Sequence, residues 1–312
     1  MLPLLAPVYL GWSLGANDAS NVFGTAVSTR MVRFRTAAVF GSVFVVVGAL
    51  VQGDAGMVTV GGLSRFDAGS ALIASLGAAL TVTLMTVLRL PVSTSQAVVG
   101  AIIGVGLLGE GIETGGLVKI VLCWLSTPFG GLVFAMALYR LLTPLFDRLA
   151  HQLIIYDAVL RISLVVTGCY GAYALGANNV ANVTGIYVGA GILSPPAAAL
   201  IGGGSIALGI LTFSRRVMST VGRGIVGLSA YSALIAVLAH SVTVHVYAVV
   251  GVPVSSSQAI VGSVLGVGIL KSAETVRLRA IAGILSGWLA TPVIGALFAA
   301  GLFFVANLRY VP

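Results

Sequence analysis

The residues able to do chemistry come in two matched pairs. Ser93, Thr94, Ser95 and Gln96 follow Pro91-Val92 and precede an unbroken apolar run, and Ser255, Ser256, Ser257 and Gln258 stand the same way after Pro253-Val254. Each stretch reads as a helix start capped by hydroxyls. Begun inside an apolar environment, such a helix aims unpaired N–H groups and its positive dipole end at one spot, which makes an anion site. The second pair is GANDASNVFGTAV at 15–27 and GANNVANVTGIYV at 176–188. Asn17, Asp18 and Asn21 in the first, with Asn178, Asn179 and Asn182 in the second, are oxygen donors suited to a hard cation. Gln96 and Gln258 are grouped with that cation site, and their amide oxygens can also accept from a protonated oxyanion. No Cys or His cluster accompanies these residues, so the chemistry points to Na⁺ or H⁺ and away from a transition metal. One Ser-Thr-Ser in an apolar helix reads as capping or polar glue, whereas the duplication in register, with Gln attached, favours a ligand site.

The elements that must hold these residues are set by a bilayer. Of 312 residues, 58% are hydrophobic and 8% charged, with mean hydropathy +1.11. The apolar runs reach the roughly 20 residues needed to cross a membrane, so the chain reads as an all-α polytopic membrane protein, and a soluble enzyme is excluded. The net charge of +8 sits in short connections, where it sets orientation, so no nucleic-acid partner is expected. Cys123 and Cys169 lie in apolar runs and read as free thiols. The stretch 1–28 has no charged leader and reads as a first membrane segment.

Apolar segments fall near 2–29, 36–52, 68–88, 94–108 and 117–139, and again near 158–193, 195–213, 224–250, 254–270 and 280–306. Arg30, Arg33 and Arg35 follow the first segment; Asp54 and Asp67, against Arg65, follow the second. The positive-inside rule then alternates the connections through Arg89, through Glu110 and Glu113, to Arg140 and Arg148. In the second copy the basic residues move to the complementary connections, at Arg215, Arg216 and Arg223 and at Lys271, Arg277 and Arg279. Five crossings per copy is odd, so the second copy must insert upside down. The expectation is an inverted-topology repeat of five plus five segments (10–12 helices): a first repeat at 1–140, a cytoplasmic linker at 141–157 and a second repeat at 158–312, with both termini outside. That is an architecture of secondary transporters. Segment 2–29 exceeds a simple span, and a helix break is expected at Gly15–Asp18. Segments 94–108 and 254–270 are short and follow prolines, as half-helices at the midplane would.

The two GAN segments, the two PVS(T/S)SQA segments, and Trp124-Leu125-Ser126-Thr127-Pro128 against Trp288-Leu289-Ala290-Thr291-Pro292 resemble the signature repeats of the inorganic phosphate transporter (PiT) family. The resemblance covers nearly the whole chain. It implies a secondary transporter, often a homodimer, that moves phosphate with Na⁺ in some members and H⁺ in others. It assigns Asp18, Asn21 and Asn182 to the cation site and the Ser and Thr of both PVS segments to phosphate. The chain departs from the pattern in having Asn179 where many members repeat the aspartate, no glutamate inside its expected helices, and no long central hydrophilic domain. Asp18 with monovalent phosphate holds two negative charges, which two Na⁺ would neutralise; divalent phosphate needs three cations, or two Na⁺ and a proton. Proton coupling would require Asp18 itself to titrate. His240 and His245 read as hydrogen-bonded structural residues.

Other readings are separable. An anion channel would line a continuous pore and need no Asp18. An intramembrane serine hydrolase would have to pair Ser229 with His240 or His245 and lacks a nucleophile elbow. Sulfate, a tetrahedral oxyanion of similar size, is the main competing substrate.

Overall fold

A computed structural model describes residues 4–88, 92–109, 111–221, 229–271 and 278–308. Arg89, Pro91, Glu110, Arg223, Gly227, Leu228 and Arg277, used in the sequence reading, lie outside the described residues. Within them the chain forms twelve helices: α1 (Leu5–Ser28), α2 (Phe34–Gln52), α3 (Asp54–Gly61), α4 (Ala68–Val87), α5 (Thr94–Leu108), α6 (Thr114–Leu149), α7 (Leu153–Gly189), α8 (Pro195–Thr212), α9 (Ser214–Val221), α10 (Ala230–Val250), α11 (Ser256–Lys271) and α12 (Leu278–Leu308). Seven of these are long and apolar enough to cross a membrane, and α5 and α11 are shorter apolar helices. The protein is a multi-pass membrane protein.

The count of twelve arises differently from the expectation. No break occurs at Gly15–Asp18: α1 runs unbroken through it, as α7 does through Gly176–Asn179. The glycines serve close packing instead. A Cβ on Gly15 would overlap the Ile206 carbonyl of α8, and one on Gly176 would overlap the Val45 carbonyl of α2, so both positions need a residue without a side chain. The additional helices are α3 and α9, eight residues each, in stretches read as loops because they are too short to span and carry Asp54 or Arg215 and Arg216. The stretch 141–157 is helical except for the turn at 150–152, since α6 continues through Pro144 to Leu149 and α7 starts at Leu153.

Packing exchanges partners between the halves. Helix α1 lies on α8 and α2 on α7; α5 lies on α12 and α6 on α11. Contacts repeat with halves swapped: Gly100 abuts the Pro292 carbonyl and Gly262 the Pro128 carbonyl, while Gly24 faces Met218 and Gly185 faces Met57. The polar ends also separate. Arg161 Nη1 donates to Met31 O at 3.1 Å, Arg215 lies 5.7 Å over the Phe34 ring, Tyr231 stacks on Phe146 at 4.9 Å, and Lys271 reaches Ser229 at 3.1 Å. These contacts gather the basic connections at one end. At the other end Glu113 N donates to Leu63 O (2.8 Å) and Ser64 to Gly111 O (2.7 Å), near Asp67. The helical hairpins α4–α5 and α10–α11 therefore enter the bundle from opposite ends, and their tips meet inside it.

Candidate functional site

The tips meet through each other's backbone. Ser95 Oγ donates to Val254 O at 2.9 Å, and Ser257 Oγ donates to Val92 O at 3.1 Å. Each helix start is locally capped as its sequence requires: Ser93 Oγ accepts from Gln96 N at 3.4 Å and Ser255 Oγ from Gln258 N at 3.2 Å. Ser93, Thr94, Ser95, Ser255 and Ser256 are buried, and Ser257 is half-buried. Two helix N-termini of opposite direction are thus held tip to tip, with their first-turn N–H groups facing the protein interior.

Helices α1 and α7 bring the other motif against these tips. Asn182 Nδ2 donates to Ser95 Oγ and to Asn179 Oδ1, both at 2.9 Å. Asn178 holds the Val254 peptide on both sides, donating to its carbonyl (2.9 Å) and accepting from its N–H (3.0 Å). Asn21 Nδ2 donates to Ser256 Oγ at 3.1 Å, whereas Asn17 turns sideways to Thr86 Oγ1 at 3.2 Å. Asp18 is 4% exposed, and among the described residues no side chain or backbone group hydrogen-bonds or ion-pairs with it. Three side chains that the sequence reading did not nominate for the site flank it: Thr86, Trp124, whose Nε1 donates to Pro253 O at 3.3 Å, and His240, read as a hydrogen-bonded structural residue, whose Nε2 lies 2.8 Å from Ser256 Oγ. The Trp-Leu-Ser-Thr-Pro repeat was the signal for Trp124; His240 has none, since Ala78 occupies the matching place in α4.

Several buried polar atoms here have no partner among the described residues: Thr94 Oγ1, Gln96 Oε1, Gln258 Oε1, Asn182 Oδ1 and Asn179 Nδ2. Leaving such groups bare costs about 1–3 kcal/mol each, which makes this region the candidate binding site. Four of the five are oxygens. Like the buried Asp18 carboxylate, these oxygens are hard donors that could hold Na⁺ in preference to a thiophilic metal, while the two first turns offer N–H and O–H groups to an anion. Hydrogen bonds join Ser95, Ser256, Ser257, Asn21, Asn178, Asn179 and Asn182 in this region, Asn17 bonds the flanking Thr86, and Asp18, Thr94, Gln96 and Gln258 are buried on the same helices. Ser229 is an exposed N-cap of α10 that receives Lys271, and His240 and His245 hydrogen-bond elsewhere, to Ser256 and to Tyr170 and Gln52. The Ser229–His pair required by the hydrolase reading does not form.

The arrangement matches known proteins. A family model described as the phosphate transporter family matches residues 14–299. A protein of Methanocaldococcus jannaschii named as a phosphate permease is 32% identical over 94% of this chain and 93% of its own. The sulfate permease of Bacillus subtilis is 28% identical over 93% of this chain and 83% of its own. A solved structure, the sodium-dependent phosphate transporter, superposes with a TM-score of 0.84 over 99% of this chain and 100% of that one, at 23% identity, which establishes the fold.

Proposed function

The chain belongs to the phosphate transporter family, and on that premise we propose that it is a secondary active transporter carrying inorganic phosphate with Na⁺ across the cell membrane by alternating access. The single observation behind this reading is the pair of opposed helix starts flanked by unpartnered oxygens and by Asp18. Phosphate takes the first-turn N–H groups of α5 and α11 and the hydroxyls of Thr94 and Ser256, while Ser95 and Ser257 hold the two tips together. Na⁺ takes Asp18 and the amide oxygens of Asn182, Gln96 and Gln258, which offsets the charge that phosphate and Asp18 would otherwise bury together. Because the two hairpins reach the site from opposite ends, withdrawing one opens the site to its own end while the other still closes the far side. The segregation of charge supports placing the basic end in the cytoplasm and both termini outside.

Sulfate is the reading to beat, given the Bacillus subtilis relative. Phosphate keeps a proton at neutral pH and can donate it to the second lone pair of Gln96 Oε1 or Gln258 Oε1, a hydrogen bond that sulfate cannot make. Uptake of labelled phosphate into proteoliposomes, with Na⁺ and pH gradients imposed separately and excess sulfate as competitor, tests this. Saturable uptake driven by Na⁺ and insensitive to sulfate is expected. Uptake driven by a pH gradient alone would replace Na⁺ with H⁺, and uptake of labelled sulfate in place of phosphate would overturn the substrate.

A further inference from the structure

His240 has no role in the reading above. It is fully buried on α10, and its Nε2 lies 2.8 Å from Ser256 Oγ while its Nδ1 has no partner among the described residues. Ser256 is 2% exposed and begins α11, and the same oxygen accepts from Asn21 Nδ2 at 3.1 Å.

The neutral ring has two tautomers, and burial discriminates between them. With the proton on Nδ1, a buried N–H would be orphaned and the Ser256 hydroxyl would spend its only hydrogen on the ring. With the proton on Nε2, His240 donates to Ser256 and only a lone pair on Nδ1 is bare. Orphaned N–H groups are the rarer and costlier case, so the second tautomer is the stable one. Ser256 Oγ then accepts two N–H donors, from His240 and Asn21, which fills both of its lone pairs. Its own hydrogen has to point elsewhere, and the described residues supply no acceptor for it. Ser256 is left as an obligate donor at the first turn of α11.

The matching place in the first half makes the contrast. Ala78 stands where His240 would be, and Thr94, the counterpart of Ser256, has a hydroxyl without a partner among the described residues. One hydroxyl of the pair is free to rotate; the other is fixed as a donor.

We propose that His240 is a positioning residue that orients the Ser256 hydroxyl as a hydrogen-bond donor to an unprotonated oxygen of the transported oxyanion. This rests on the reading of the two helix starts as the oxyanion site. The test is a double-mutant cycle on the full-length protein in proteoliposomes, reading KM and maximal rate for labelled phosphate. Ser256→Ala is expected to raise KM about tenfold, the size of one lost hydrogen bond to a charged group. His240→Leu should raise it by a similar factor, and the double variant should be no worse than Ser256→Ala alone, because the histidine acts only through that hydroxyl. His240→Gln, whose amide N–H reaches the place of Nε2, should keep KM near wild type, whereas His240→Asn, which reaches only the place of Nδ1, should not. The Gln and Asn pair keeps the test decisive if the Leu variant folds poorly. Multiplying effects in the double variant, an unchanged KM in His240→Leu, or equal behaviour of Gln and Asn would overturn the proposal while leaving the oxyanion site standing. An unchanged KM in Ser256→Ala would remove α11 from the oxyanion site, and the proposal with it.

Discussion

The same motif is built twice in this molecule and finished only once. In the second half Asn178, Asn179 and Asn182 are buried and joined to one another, to the Val254 peptide and to Ser95. In the first half Asn17 and Asn21 are half-buried, Asn17 reaches away to Thr86, and Asp18 stands buried with nothing bound to it among the described residues. A set of polar groups that satisfies itself can hold a shape without help. One that leaves a carboxylate bare needs a ligand to be stable. The second half, more fully bonded although Asn182 Oδ1 and Asn179 Nδ2 stay without a partner among the described residues, is the better fixed wall of the candidate site, and on the proposed function the first half is where the coupling charge enters.

The strongest way to break this comparison is to make the halves alike. Asp18→Asn gives the first motif the residue that the second has at Asn179, so folding is expected to survive. Na⁺-driven phosphate accumulation should fall by at least about a hundredfold, the scale of losing a buried charge partner. Should Asp18 instead carry a coupled proton, the variant will still exchange phosphate at equilibrium while losing its response to a pH gradient. Normal uptake would mean that the asymmetry has no functional content. A smaller effect is expected at the crossed serines. Ser95→Ala and Ser257→Ala should each weaken phosphate binding, by about 1–3 kcal/mol, with Ser95→Ala the worse because it also strips Asn182 of an acceptor. Equal losses in a binding titration would argue that the two tips are energetically equivalent.

Stability measurements sharpen the same contrast. Asn178→Ala removes both bonds to the Val254 peptide and should cost about 2 kcal/mol in detergent, whereas Asn17→Ala, losing one long and half-exposed bond, should cost under about 0.5 kcal/mol. Thermal midpoints of the two variants decide it, and a reversed order would contradict the fixed-wall assignment. The smallest expected effect is at the caps. Asp67 caps α4 through Ser70, which holds its carboxyl below the usual value of 3.8; Ser229 caps α10 in the matching place. A depressed carboxylate contributes stability that is present above its unfolded pKa and lost as pH falls through the lower folded value. Wild type should thus lose a few tenths of a kcal/mol, about what an exposed, solvent-screened carboxylate contributes, relative to Asp67→Ser as pH falls below 3.8, and parallel pH curves for the two proteins would refute it.

The candidate site was legible in the sequence because polar residues in an apolar chain are costly, and finding Ser-Thr-Ser-Gln and Gly-Ala-Asn twice marks a cost borne for a reason. The basic connections likewise gave the direction of each segment without any geometry. What could not be read were features set by partners distant in sequence. Continuity of α1 through Gly15–Asp18 depends on the Ile206 carbonyl lying against Gly15, which nothing near Gly15 announces. Helices α3 and α9 are too short and too polar to register as membrane elements, yet Met57 and Val60 of α3 are fully buried. His240 lies in an ordinary apolar run, and its meaning comes only from Ser256 and Asn21 on two other helices.

The exchanged packing of α1 on α8 also sets a schedule for biosynthesis. Gly11 lies against Ser205, so α1 cannot find this seat until nearly two hundred further residues have been made. At about 5–20 residues per second that is a wait of roughly ten to forty seconds. During that interval α1 can pack on α2 and α4 but not on α8, so its α8-facing side stays open to lipid. The nascent first half is the period of greatest exposure to misinsertion and to quality-control proteases, and mutations that slow release of α8 should lower yield even when the finished transporter is unharmed.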